Sequence, residues 1–277
     1  MNPNAKSVFV TGAFDDIGTP HIRFLEEASK LGELTVLLWS DAEVQRHLGK
    51  APKFPESERL YFLNAVRYVS RVEFVADAAQ ETALLAAPEA KLATWVARES
   101  DGPDTKALFE RHQLAGRVLG EEDLRGFPNV LPAPSAGDPT RKKVIVTGCY
   151  DWLHSGHVRF FEEVSAHGDL YVIVGHDANI RLLKGEGRPL FPQEQRRYLV
   201  GSIRHVKQAL ISSGDGWLDA EPEIEQLRPD IYAVNEDGDR PEKRDYCAKQ
   251  GIQYLVLQRA PAPGLPKRSS TDLRRTL

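Results

Sequence analysis

The feature that most limits what this chain can fold into is an internal repeat. Val8 to Asp41 reads V-F-V-T-G-A-F-D-D-I-G-T-P-H-I-R-F-L-E-E-A-S-K-L-G-E-L-T-V-L-L-W-S-D, and Val144 to Asp177 reads V-I-V-T-G-C-Y-D-W-L-H-S-G-H-V-R-F-F-E-E-V-S-A-H-G-D-L-Y-V-I-V-G-H-D. About two in five positions of this stretch are identical. After one inserted residue the match resumes: Phe54–Arg59 aligns with Phe191–Arg196, Tyr61–Val69 with Tyr198–Val206, and Ala93–Gly102 with Asp230–Asp239. Each copy opens with a short apolar run (Val8–Val10), an amphipathic stretch (Ile22–Lys30) and a second apolar run (Leu34–Leu38). That order predicts strand, helix, strand, and a parallel pair of strands needs such a crossover. The fold class expected is α/β, built twice as an open parallel sheet flanked by helices. The boundaries expected are residues 1–127 and 141–277, joined by a Pro-rich extended linker over 128–140.

Composition fits two such domains. The chain has 277 residues, 41% hydrophobic and 27% charged, with a formal net charge of −4. This is the profile of a globular chain able to bury a core, with no basic excess to attract a nucleic acid. The two cysteines, Cys149 and Cys247, are far apart and suggest no disulfide framework. The first residues, M-N-P-N-A-K-S, carry no apolar signal region, and no run is long enough to span a bilayer. A cytoplasmic location is the expectation.

The chemistry concentrates in the second copy. Val144–Val146 is a buried strand, Thr147-Gly148 a turn, and a helix opens near Gly156. A helix N-terminus offers free N–H groups and the positive end of the dipole, which suits an anion. Ser155 and Gly156 let a phosphate approach the backbone. His154 and His157, three positions apart, can face one side and donate to phosphate oxygens. A lone H-x-x-H is weak, but strand, Gly turn, Asp151 and H-S-G-H in this order point to a nucleotide polyphosphate site.

With those residues in view, T-G-C-Y-D-W-L-H-S-G-H resembles the H-x-G-H motif of the cytidylyltransferase-like nucleotidyltransferases. The resemblance implies a Rossmann-like, HUP-type fold for each copy. It also implies transfer of a nucleotidyl group from CTP or ATP to a phosphorylated polyol, sugar or amino alcohol, with release of pyrophosphate. Mg2+ would travel with the triphosphate. By the same resemblance, His154, His157, Lys184 and Arg196 are the catalytic set. Thr147, Gly148, Cys149, Tyr150, Gly156, Asp177, Arg188, Ser269, Ser270 and Thr271 belong to the nucleotide side. Asp151, Trp152, Asn235, Glu236 and Asp237 belong to the second substrate. No protein metal site is expected. Class I aminoacyl-tRNA synthetases share a similar H-x-G-H element, but this chain lacks their length and basic surface.

Each further motif has a bland reading beside the functional one. L-K-G-E-G-R-P (Leu183–Pro189) is similar to the loop of heptose-phosphate adenylyltransferases; alone it would be a solvated basic loop. Lys267–Arg274, K-R-S-S-T-D-L-R, resembles the S-T-T or S-S-T element closing the family's site; alone it is an ordinary N-cap. Asn235–Asp239 is either a substrate loop or a solvated acidic one. Asp151 either orients substrate or makes an Asx-type turn, and Asp177 serves the ribose or loop geometry. Cys149 reads as packing rather than chemistry.

The copies are not equivalent. Where the second has His154-Ser155-Gly156-His157, the first has Gly18-Thr19-Pro20-His21. It lacks the first histidine, and Pro20 removes an N–H that could hold a phosphate. The first copy therefore reads as degenerate, with a structural or regulatory task. The tandem layout resembles ethanolamine-phosphate cytidylyltransferase, with the altered copy at the opposite end. Single-copy relatives commonly pair, and a linker of about 13 residues reaches roughly 40 Å. The expectation is an intramolecular pseudo-dimer. A nucleotide-binding regulatory protein without turnover is the alternative that the decayed first copy keeps open.

Overall fold

The computed structural model describes residues 6–128 and 140–274. The chain divides into two compact units, Met1–Gly126 and Phe127–Leu277. Of the expected linker, only its ends lie within the described residues.

The first unit runs β1 (Ser7–Gly12), α1 (Thr19–Ser29), β2 (Glu33–Trp39), α2 (Asp41–Leu48), α3 (Glu56–Ala65), β3 (Arg71–Val75), α4 (Ala78–Ala86), α5 (Pro88–Leu92), β4 (Thr94–Arg98), α6 (Pro103–His112) and β5 (Ala115–Leu119). The second runs β6 (Lys143–Gly148), α7 (Ser155–Ser165), β7 (Asp169–Val174), α8 (Asp177–Lys184), α9 (Gln193–Gly201), β8 (Val206–Ile211), α10 (Glu221–Leu227), β9 (Ile231–Asn235), α11 (Pro241–Gln250), β10 (Gln253–Leu257) and α12 (Ser270–Arg274). The sheets are ordered β3-β2-β1-β4-β5 and β10-β9-β6-β7-β8, all pairs parallel. Both units are Rossmann-like α/β domains.

The β6 side chains are apolar on both faces because helices cover both. Val144, Ile145 and Val146 are fully buried. On one face Ile145, Tyr171, Ile173, Tyr232 and Val234 pack with Ala220, Ile224 and Cys247 from the α10 and α11 side. Cys247 is thus a core residue, and its burial pushes the thiol up to about 11. Helix α7 contributes Val158, Phe161 and Val164, all fully buried. Burying a side chain such as Phe161 contributes about 1.5–3 kcal/mol.

The topology dictates where a ligand can go. From β6 the chain winds outward through β7 and β8, then crosses back to place β9 on the other side of β6. Strands β6 and β9 pair only at Val144↔Ile231 and Ile145↔Tyr232. Beyond these two positions they part, and a crevice opens at their carboxyl ends, the usual ligand position in open α/β sheets.

Two elements depart from the sequence reading. Asp177 does not merely end β7; it begins α8, which carries the chain to Lys184. The basic loop therefore starts at Gly185, with Lys184 on the last turn of a helix. Its counterpart in the first unit is α2. Both helices are only eight residues long, too short for a helical period to stand out in the sequence.

Candidate active site

The crevice between β6 and β9 is a cleft of about 310 Å3. Thr147, Gly148, Cys149, Tyr150 and Asp151 line it from the end of β6 and the following loop, and His154, Gly156, His157 and Phe160 from α7. Lys184 and Arg188 stand on another side, Asn235, Asp237, Gly238 and Lys243 after β9, and Arg259, Ser269, Ser270, Thr271 and Arg274 toward the C-terminus. Five cationic side chains face two carboxylates, so the cleft suits a polyanion.

His154 is the N-cap of α7, in extended backbone conformation, and its Nδ1 accepts the Gly156 N–H at 3.1 Å. A neutral imidazole that accepts at Nδ1 carries its proton on Nε2. That Nε2 is buried and has no partner. The ring of His157 stacks on His154, centroids 3.9 Å apart, and its Nδ1 is likewise buried and unpartnered. Burial holds His154 down at about 3, helped by the nearby charges of Arg259 and Arg268. Burial also lowers His157, with His154, Arg259 and Lys184 adding to it. Both rings are neutral donors or acceptors at ordinary pH, not cations. Gly156 makes this packing possible, because a Cβ there would lie 3.0 Å from the His154 ring. Gly148 plays the same part beneath Tyr150, whose ring would sit 2.8 Å from an added Cβ. Tyr150 itself has a left-handed backbone (φ 51°), as does its counterpart Phe14 (φ 45°), so this loop shape belongs to both units.

Arg274 is a third group with unmet bonding capacity. It pairs with Asp151 through Nη2, while its buried Nε and Nη1 have no partner. Sequence reasoning quoted this residue only as part of K-R-S-S-T-D-L-R. Its spacing after Ser270, one helical turn on, was the available signal. Arg259, also missed, pairs with Asp237 and donates through Nη2 to the Arg268 carbonyl at 3.1 Å. Nothing in its local sequence separates it from a surface arginine. Ser269 Oγ accepts the Asp272 N–H at 3.1 Å and so caps α12, while Ser270 Oγ donates to the Trp152 carbonyl at 3.2 Å.

Several expected site residues do other work. Arg196 is almost fully buried and does not line the cleft. It donates to the carbonyls of Phe191 (2.9 Å), Cys149 (2.6 Å) and Gly175 (2.8 Å), and to Asp177 Oδ1 (2.7 Å). In the first unit Arg59 binds the carbonyls of Phe54, Ala13 and Trp39 and the carboxylate of Asp41. The wiring is the same in a copy without the H-S-G-H element, so Arg196 and Asp177 hold the loops in place, as Arg59 and Asp41 do in the first unit. Asp151 accepts the N–H groups of Leu190 (2.7 Å) and Phe191 (3.0 Å), as Asp15 accepts those of Lys53 and Phe54. It ties the basic loop to the β6 end and, through Arg274, to α12. Trp152 is buried, packs edge-on to Phe191 and does not line the cleft. Glu236 also stays outside the cleft lining and accepts the Arg259 N–H at 3.4 Å. Burial raises the Cys149 thiol, so it is no thiolate nucleophile, while its carbonyl serves Arg196.

In the first unit the corresponding bonding capacity is spent. His21 Nδ1 accepts the Gly18 N–H at 3.3 Å, and Lys53 pairs with Asp16 at 3.0 Å. Pro20, on the first turn of α1, supplies no N–H.

A family model described as cytidylyltransferase-like matches residues 9–118 and 145–276. The chain belongs to the cytidylyltransferase-like family. Its activity is therefore that of a nucleotidyltransferase. Among curated relatives, an FAD synthase from Ferroglobus placidus is 37% identical over 120 residues, covering 42% of this chain and 75% of that protein. The bifunctional protein HldE of Azotobacter vinelandii is 34% identical over 173 residues, 61% of this chain and 34% of that protein. A solved structure, a lipopolysaccharide core biosynthesis protein from Thermoplasma volcanium, covers 44% of this chain and 98% of its own at 24% identity, with a TM-score of 0.37. Among the described residues, no helix of this cytidylyltransferase-like chain is long and apolar enough to cross a membrane.

Proposed function

We propose that the second unit, residues 141–277, transfers CMP or AMP from CTP or ATP to a phosphorylated polyol, sugar or amino alcohol, releasing pyrophosphate. One observation carries this reading. His154 Nε2, His157 Nδ1 and Arg274 Nε and Nη1 are buried without partners, and all belong to residues lining one cationic cleft at a helix N-terminus. Leaving buried donors unmet costs about 1–3 kcal/mol each, a cost that a bound triphosphate would relieve.

In this reading an oxygen of the acceptor's phosphate attacks the α-phosphorus in line. The new O–P bond forms as the bond to the bridging oxygen breaks, and pyrophosphate leaves. The protein's share is positioning and charge stabilisation. His154 and His157 contact the triphosphate, Lys184, Arg188 and Arg274 hold phosphate oxygens, and Ser269, Ser270 and Thr271 close the site. Thr147, Gly148, Tyr150 and Gly156 shape the nucleotide side, and Asn235 and Asp237 face the acceptor. Both carboxylates lining the cleft are engaged by arginines, Asp151 by Arg274 and Asp237 by Arg259. Mg2+ therefore enters with the nucleotide, as part of the substrate.

The first unit, residues 1–127, has a structural task in this account. The two units form an intramolecular pseudo-dimer joined through residues 128–140, and the protein works in the cytoplasm. The repeat and the spent bonding capacity of the first copy support this. The test of the activity is pyrophosphate release from each of the four NTPs with a panel of phosphorylated polyols, sugars and amino alcohols. Release that depends on one NTP and one acceptor class is expected. No release with any pair sinks the reading.

A further inference from the structure

The β9 side of the cleft has a charge balance of its own. Asp237 is neutralised by Arg259, and Asp151, the other carboxylate of the cleft, by Arg274. Lys243, on the first turn of α11, lines the cleft and makes no ion pair among the described residues, with Asp219 and Asp239 acting on it only from a distance. Its Nζ lies 5.5 Å from the centre of the Tyr232 ring. Tyr232 is fixed from below, its hydroxyl sharing a hydrogen bond of 2.8 Å with Thr147 Oγ1. Burial, with the nearby Arg240 charge, holds the Lys243 ammonium below the ordinary lysine value, against the opposing pull of Asp219 and Asp239. In the same cleft, Asn235 Oδ1 is buried and unpartnered at the end of β9. The aromatic face nearest this region is already covered by Lys243.

We propose that Lys243 and Asn235 form a selectivity subsite for the acceptor, and that the acceptor is a phosphorylated polyhydroxy compound carrying no cationic group. The inference rests on the nucleotidyltransferase reading above and narrows it. An orphaned amide oxygen calls for a hydroxyl donor. An unpaired ammonium calls for an anion or a hydroxyl oxygen and repels a second ammonium. An amino-alcohol phosphate would need a free carboxylate or an open aromatic face for its cation; both carboxylates lining the cleft are engaged by arginines, and Lys243 stands over the Tyr232 face. Selection here works as much by rejection as by attraction.

The experiment uses the full chain. Calorimetry measures binding of glycerol 3-phosphate, ribose 5-phosphate, mannose 1-phosphate and phosphoethanolamine to the wild type and to Lys243→Met, Lys243→Arg and Asn235→Leu. Pyrophosphate release is followed in parallel, and thermal melting checks that each variant is folded. At least one polyhydroxy phosphate should bind at least about 10-fold more tightly than phosphoethanolamine. Lys243→Met should weaken that binding about 10-fold or more and narrow the gap, leaving NTP affinity within about twofold, while Lys243→Arg restores most of it. Phosphoethanolamine binding best, no polyhydroxy phosphate binding, or an unchanged preference in Lys243→Met overturns the proposal. If the expected binding pattern holds without pyrophosphate release from any NTP, the subsite stands and the catalytic reading fails instead.

Discussion

His154 and His157 are stacked, buried and neutral, and this has a consequence for stability. Folded His154 titrates at about 3 against an ordinary value of 6.5, and buried His21 at about 4. As pH falls below 6.5 the unfolded chain takes up protons that the folded chain refuses. Stability is therefore whole above about pH 6.5 and is lost as pH falls toward 3, by up to about 1.4 kcal/mol per pH unit for each such histidine. His154→Asn, which keeps an acceptor for Gly156, should flatten this acid limb in urea melts at a series of pH values. An identical slope in the variant would contradict a neutral buried His154. Lys184, exposed on the last turn of α8, should behave differently: Lys184→Ala should raise the KM for the nucleotide about 10-fold with little change in melting temperature. At this scale the sequence was legible where chemistry and backbone coincide. H-S-G-H marked the helix opening, the small residues and two histidines able to face one side. Arg196 was expected at the phosphates; that its side chain turns inward onto three carbonyls was not legible in the sequence.

Arg196 also governs how the elements meet. One guanidinium joins the loop after β6, the end of β7, the start of α8 and the chain entering α9. Gln193 adds to this by accepting the Asp177 N–H at 2.9 Å, as Glu56 does for Asp41 in the first unit. Removing the arginine strands three carbonyls, that of Gly175 in a buried bond, and a carboxylate. Arg196→Ala should destabilise the second unit by about 3–5 kcal/mol, seen as a clear drop in melting temperature, whereas Arg188→Ala should leave stability nearly unchanged and raise the nucleotide KM. If Arg196→Ala melted like the wild type while losing nucleotide affinity, the arginine would belong to the ligand after all. The opening strands of each copy and their parallel pairing were readable from the apolar runs and the repeat. Helices α2 and α8 were not, because their polar faces dominate and their stability comes from caps and from contacts such as Arg196–Asp177.

Across the whole molecule, duplication preserved the scaffold and divided the chemistry. Both units keep the Arg–Asp link, the Asp that anchors the following loop and the left-handed residue after β1 or β6. Among the described residues, the second unit places the unpartnered buried atoms of His154, His157 and Arg274 along one cationic cleft. The repeat was plain in the sequence because core strands and loop anchors must be matched in each copy, while the spent state of His21 needed the coordinates. If the first unit serves as the scaffold of a pseudo-dimer, residues 140–277 alone should aggregate or self-pair in light scattering; a soluble, fully active monomer would contradict that role. The central claim, that catalysis resides in the second copy, is tested most directly by pyrophosphate release from the full chain carrying His157→Ala or His21→Ala. The account predicts a loss of about 100-fold or more in kcat/KM for His157→Ala and near wild-type turnover for His21→Ala. The reverse pattern, activity abolished by His21→Ala and retained by His157→Ala, would contradict it.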